Sequence, residues 1–195
     1  MRMLALVLVL ALAGEARAGT GSVKGTISAR GGAPVADAVV MIVGPRLPVE
    51  AAAPRTTIEQ RDETFRPHVI AVPIGTTVDF PNGDPVLHNV FSASPAKKFD
   101  LGMYDKGQTR SVTFDTSGVV RIGCNVHPKM EAFIVVHENP HVAVSDGQGS
   151  YTIAGVPPGS YQARVWHESL AERQVPVVVR EGQVQPLDVS LEGRP

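Results

Sequence analysis

Apolar and polar residues alternate along this chain in short runs. Thr76-Thr77-Val78-Asp79-Phe80 has a period of two, as do residues 110–114, 161–165 and 187–191, which is the pattern of half-buried strands. Gly and Pro interrupt at short intervals, and no amphipathic helical period is sustained over three turns. The pattern predicts an all-β chain of sandwich architecture. Residues 22–43 predict two strands joined by a turn at Gly31-Gly32, and the Pro- and Ala-rich stretch 45–54 reads as a connector. A different pattern runs from about 57 to 139. Beyond it, Ser145-Asp146-Gly147-Gln148-Gly149-Ser150-Tyr151 and Val156-Pro157-Pro158-Gly159-Ser160-Tyr161 predict turns that enter strands.

The N-terminus follows another rule. Arg2, an apolar run over residues 3–13, Gly14 and the small-residue pattern Ala16-Arg17-Ala18 predict a secretory signal peptide, residues 1–18, cut after Ala18. That run is too short to span a bilayer as a mature helix, and no comparable run follows. The expectation is an exported protein, periplasmic or secreted, with no membrane span. Lipid attachment has no support, since no cysteine lies near the cleavage site. About 175 residues then remain, enough for one larger domain or two small ones. A formal net charge of −1 with both signs interspersed gives no basic stripe for nucleic acid and no strong steering toward a charged partner.

An exported chain with one cysteine cannot close an internal disulfide, and a free thiol there is a liability. Cys124 is therefore either a small buried hydrophobe or a ligand. Its surroundings favour the ligand: Gly123-Cys124-Asn125-Val126-His127-Pro128-Lys129-Met130, with His88 upstream in Leu87-His88-Asn89-Val90-Phe91. One thiolate, two imidazoles and a thioether make up the donor set of a mononuclear blue-copper site. Spacings of three put Cys124, His127 and Met130 on one loop between two strands, with His88 arriving from a neighbouring strand. Zinc is the alternative metal, because Cys plus two His with an open position also suits it; the thioether of Met130 favours copper. His68, His137, His141 and His167 read as structural or solvated, although a period-two strand could turn His137 toward the metal end. Met41 and Met103 read as packing residues.

Residues 57–139 resemble a cupredoxin of the plastocyanin and amicyanin type. The likeness is carried by the run from Pro67 to Asn82 (PHVIAVPIGTTVDFPN), by His88-Asn89-Val90 and by Cys124-x-x-His127-x-x-Met130. It implies a Greek-key β-sandwich with His88, Cys124, His127 and Met130 as ligands to one copper ion. It also implies that Asn89 ties the two ligand segments together and donates to the cysteine sulfur, and that His127, followed by Pro128, presents its ring edge at the surface. The flanking pieces resemble the carboxypeptidase regulatory-like (transthyretin-like) β-sandwich, through the opening at 21–39 and through Asp146 to Tyr161. The expected organisation is residues 19–50 and 140–195 forming this second, small Ig-like sandwich, with the cupredoxin inserted into it or packed beside it. The whole is similar to exported methylamine-utilisation-like proteins.

The implied function is a one-electron carrier cycling between Cu(I) and Cu(II), a monomer that docks a redox partner protein near His127. An enzyme is not expected: there is no His-Cys-His tripeptide to wire a copper cluster, no second cysteine for a dinuclear centre, and no carboxylate near Cys124 and His127 to complete a nucleophilic triad. The alternative is a copper-sequestering or delivery protein, against which stands the paucity of methionines after residue 18, only Met41, Met103 and Met130. An adhesion or glycan-binding role for the second sandwich ranks last, with only Trp166, Tyr151 and Tyr161 available as a platform.

Overall fold

The computed structural model describes residues 19–44 and 54–194, and every regular element among them is a strand. The expected signal peptide, and residues 45–53 of the expected connector, lie outside the described residues. No helix among the described residues is long and apolar enough to cross a membrane.

The chain opens with β1 (Gly21–Ala29) and β2 (Val39–Val43). Ten strands follow: β3 (Arg55–Thr57), β4 (Glu59–Arg61), β5 (Thr64–Arg66), β6 (Val69–Pro73), β7 (Thr76–Pro81), β8 (Phe91–Ser94), β9 (Lys97–Asp100), β10 (Thr109–Phe114), β11 (Gly118–Gly123) and β12 (Glu131–His137). The last six are β13 (Val142–Val144), β14 (Ser150–Val156), β15 (Gly159–Trp166), β16 (Arg173–Val179), β17 (Val184–Pro186) and β18 (Val189–Leu191). Strands β1 and β2 join β13–β18 in a terminal sandwich: β14-β1-β17, with β18 also on β1, faces β13-β2-β15-β16. Strands β3–β12 make a central sandwich, with β10-β7-β3 facing β6-β12-β11-β8-β9 and β4-β5 as a separate hairpin.

Each sandwich has its own apolar core. Val23, Ile27, Val40, Ile42, Ile153, Val165 and Leu191 share the terminal one; Val78, Phe80, Phe114, Ile122 and Ile134 share the central one, together with Cys124 and Met130. A third cluster lies between them, built from Val39, Met41, Val69, Val135 and Trp166, with Phe133 and Ala71 packed against it. This seam explains why β2 and β12 lack a polar face. On β2, Val40 and Ile42 enter the terminal core while Val39 and Met41 enter the seam; on β12, Ala132, Ile134 and Val136 face the central core while Val135 enters the seam. A strand buried on both faces reads as a continuous apolar run.

Two local features differ from the simplest reading of the pattern. Strands β1 and β2 are joined through Gly31 and Gly32, both at positive φ, but they go to opposite sheets and are not a hairpin. The strand expected over 187–191 is shorter, running over Val189–Leu191 as β18 after β17 ends at Pro186. Between them the Asp188 carboxylate, through Oδ1, accepts the Thr26 amide and hydroxyl at 2.8 Å each, taking the place of a ladder rung. The backbone of Leu187 also crosses so close to Gly25 that a Cβ there would lie 1.8 Å from its carbonyl oxygen.

Candidate metal centre

Cys124, His127 and Met130 sit on the loop between β11 and β12, which are paired from Gly118↔Val136 to Gly123↔Glu131. The loop is closed by a tight turn in which the Met130 amide donates to the His127 carbonyl at 2.9 Å, with Pro128 at the position that prefers its fixed φ. His88 lies just before β8 and is fixed by an isolated bridge to Tyr104, whose amide donates to the His88 carbonyl at 2.9 Å. Two paired segments of one sandwich thus bring the donors together.

The donor atoms of His88, Cys124 and His127 all lie within 4.8 Å of one another. Nδ1 of His88 is 3.8 Å from Cys124 Sγ and 3.1 Å from His127 Nδ1. Ligand bonds of about 2.0–2.3 Å at trigonal or tetrahedral angles set donors roughly 3.3–3.8 Å apart; the His88–Cys124 separation lies at the edge of that range and the His88–His127 separation just below it. Two imidazole nitrogens and a thiol facing one another with no carboxylate among them form a mixed nitrogen and soft-sulfur set. Met130 is 1% exposed and Cys124 4% exposed; they share the central core and line the same groove of about 470 Å³ beside Phe91 and Ile122.

The far nitrogen of His88 is held by a residue that sequence reasoning missed. Asp84, itself buried, accepts from His88 Nε2 at 2.8 Å. The same carboxylate accepts the Asp62 amide at 2.7 Å and the Glu63 amide at 2.9 Å. Those two residues form the β4–β5 turn, with φ of 54° and 51°, a conformation that hairpins usually give to Asn-Gly. Burial alone would raise the Asp84 carboxyl, but the Glu63 amide, the His88 ring and the Asp62 amide outweigh it and hold the carboxyl below its ordinary value. A carboxylate on the outer nitrogen fixes the ring's orientation and tautomer, leaving Nδ1 free for a metal. Asn82 prepares this site: its Oδ1 accepts the Asp84 amide at 2.9 Å, while its Nδ2 donates to the carbonyls of Val86 and Tyr104. Nothing in the sequence singled Asp84 out: Asn82-Gly83-Asp84-Pro85 is an ordinary turn-forming run.

Asn89 joins the two segments, since its Oδ1 accepts the Asn125 amide at 2.8 Å. Its Nδ2 is directed to Asp100 at 3.3 Å, not to the cysteine sulfur as the resemblance implied. His127 is 23% exposed in its side chain, with Glu63 Oε1 3.8 Å from its Nε2. Pro128 beside it is exposed. Four of the seven large apolar residues exposed among the described residues, Val86, Leu87, Met103 and Val126, lie near the His88 and Cys124–Met130 segments. Met103 is therefore a surface residue and not the packing residue expected, because the His88–Tyr104 bridge turns Tyr104 inward and leaves its neighbour outside. Met41 packs in the seam.

The remaining histidines lie elsewhere. His137 is buried at the other end of β12, with Nε2 donating to the Ile42 carbonyl at 3.0 Å, and burial lowers its pKa. His141 and His167 are likewise lowered by burial. His68 lies at the seam.

Comparison with known proteins finds a family match over part of the chain. Residues 116–192 match the carboxypeptidase regulatory-like domain. The match is contiguous and so takes in β11 and β12, whereas the fold completes that sandwich with β1 and β2 from the other end of the chain. No curated protein matches the chain. Among solved structures, a reduced amicyanin variant is 24% identical with a TM-score of 0.41, over 50% of this chain and 98% of that one. A Cu(I) amicyanin variant is 22% identical with the same score and coverage. A copper-containing nitrite reductase from Thermus scotoductus SA-01 is 25% identical with a TM-score of 0.42; the likeness spans 50% of this chain and a quarter of that protein.

Proposed function

We propose that this chain is an exported blue-copper protein that carries single electrons, with His88, Cys124, His127 and Met130 as ligands to one copper ion. The observation that carries the reading is the convergence of His88 Nδ1, Cys124 Sγ and His127 Nδ1 within 4.8 Å at one end of a rigid sandwich. A bound copper ion would supply the one-electron step between Cu(I) and Cu(II). The chain's part is to hold the donors still: Asp84 orients His88, Asn89 ties the two segments, and the tight turn fixes His127 against Met130. A site preorganised in this way needs little rearrangement between oxidation states.

His127 is the exit. It is the partly exposed ring of the pair, and Leu87, Val86, Val126, Met103 and Pro128 place exposed apolar surface near the ligand segments, suited to brief docking of a redox partner protein. Delivery or sequestration of copper is the less favoured reading, because Cys124 and Met130 are almost fully buried despite lining a groove, which impedes ligand exchange. Export itself rests on the features of residues 1–18.

Copper-loaded protein is expected to be intensely coloured by thiolate-to-copper charge transfer and to give a reversible voltammetric wave, and Cys124→Ser to be colourless. A colourless wild type that retains only Cu(I) or zinc would refute the carrier reading.

A further inference from the structure

Besides the apolar seam, one polar contact joins the terminal sandwich to the start of β12, and it runs through the His68 ring. Its Nε2 lies 2.9 Å from Glu168 Oε1, a residue just after β15 in the terminal sandwich, and its Nδ1 lies 3.2 Å from the carbonyl oxygen of Glu131, the residue after Met130. Both partners, a carboxylate and a peptide carbonyl, are acceptors. A neutral imidazole carries one N–H and can satisfy only one of them, whereas the imidazolium carries two. The opposite arrangement, a neutral ring accepting from a protonated Glu168, would leave the proton on what is ordinarily the stronger acid and Nδ1 without a hydrogen for Glu131.

We infer that His68 is a doubly protonated pin through which the terminal sandwich fixes the start of β12, and that the pin releases when the ring loses a proton. The inference stands independently of which metal the site holds. The ring is well placed for the role. It meets Phe133 edge-on at 5.6 Å, and Phe133 in turn packs on Trp166 at 5.5 Å, so the pin sits at the mouth of the apolar seam. The His68 carbonyl also accepts the Phe133 amide at 2.8 Å, so one residue holds β12 at both Glu131 and Phe133. The surrounding charges are few. The Glu131 carboxylate is engaged by Arg121 at 2.7 Å, and Arg66, which with Lys129 lines the cavity beside the ring, is engaged by Asp62 at 3.0 Å. Arg66 and Lys129 oppose the extra proton; Glu168 supports it. Loss of that proton turns a ring lone pair toward an acceptor oxygen, which removes one bond and adds repulsion.

The test uses the full-length protein without metal. Side-chain nitrogen NMR should show both His68 ring nitrogens protonated at about pH 5 and only one of them protonated at about pH 8. Over that interval, protection of the Ala132 and Phe133 amides against hydrogen exchange, corrected for the intrinsic rate, should fall about tenfold, the equivalent of one charge-assisted bond. Glu168→Gln is a mild change at a partly exposed side chain. Its amide can rotate to donate to a neutral ring, so that variant should keep the protection at high pH and lose the pH dependence. His137, whose pKa burial lowers, is common to both proteins and cancels in the comparison. A singly protonated His68 throughout, or the same pH dependence in Glu168→Gln as in wild type, would overturn the inference.

Discussion

Asp84 offers the sharpest test of how the metal end is built. Its carboxylate takes three hydrogen bonds, from the Asp62 amide at 2.7 Å, the Glu63 amide at 2.9 Å and His88 Nε2 at 2.8 Å, and it is almost fully buried. In Asp84→Asn the amide oxygen can replace Oδ2, keeping Glu63 and His88, but its NH₂ then faces the Asp62 amide. One bond is lost, at about 1–3 kcal/mol. In Asp84→Ala all three donors are stranded, two of them in a turn whose residues sit at φ of 54° and 51°. Water reaching the turn moderates the loss, to about 3–5 kcal/mol. Metal affinity should fall about 10- to 100-fold in the alanine variant, as is usual when the group orienting a ligand histidine is removed, and less in the asparagine variant. Urea unfolding of the metal-free proteins measures the first quantity, and competition with a chelator the second. If Asp84→Ala matched wild type in both, the carboxylate would be incidental. Equal losses in the two variants would refute the counting of bonds.

Other outcomes follow from the same geometry. Replacing Asp62-Glu63 with Asn-Gly supplies the residues this turn prefers and should raise stability by about 1 kcal/mol in urea melts; a decrease would mean the Glu63 carboxylate beside His127 contributes more than the backbone costs. Met130→Leu removes a weak sulfur donor and should raise the reduction potential of copper-loaded protein in voltammetry, so an unchanged or lowered value would count against Met130 as ligand. Burial raises the Tyr104 phenol to about 12 from an ordinary 10, so the unfolded chain loses this proton first. The resulting contribution, about 2–3 kcal/mol, is intact below about pH 10 and disappears as pH climbs toward 12. Tyr104→Phe should show a shallower alkaline decline in urea midpoint, and an identical decline would place the effect elsewhere.

What could be read from the sequence was what the chain places close together. Cys124, His127 and Met130 share a single short loop, so their grouping needed no tertiary information, and His88 was marked by the two residues that follow it. Asp84 was not legible, because its role depends on the β4–β5 turn, 21 or 22 residues away, whose Asp62-Glu63 pair gives no sign of positive φ. Asn89 was half legible: the tie to Asn125 is short-range within the site, but its other hydrogen bond depends on where β9 ends at Asp100. The seam was written in the unbroken apolar runs of β2 and β12, yet a run of that kind names no partner. His68 gave no signal at all, since Glu168 lies 100 residues away.

The rung Val142↔Met41 and the bond from the Ile42 amide to the His141 carbonyl place the exit from β2 and the entry to β13 side by side. A chain leaving and returning through neighbouring rungs can be rejoined there by a short loop, which would turn β2 and β13 into an ordinary hairpin and excise everything between. The shortened molecule would keep its own core but lay bare Val39, Met41 and Trp166, so its weakness would be sticking to its own kind and not failing to fold.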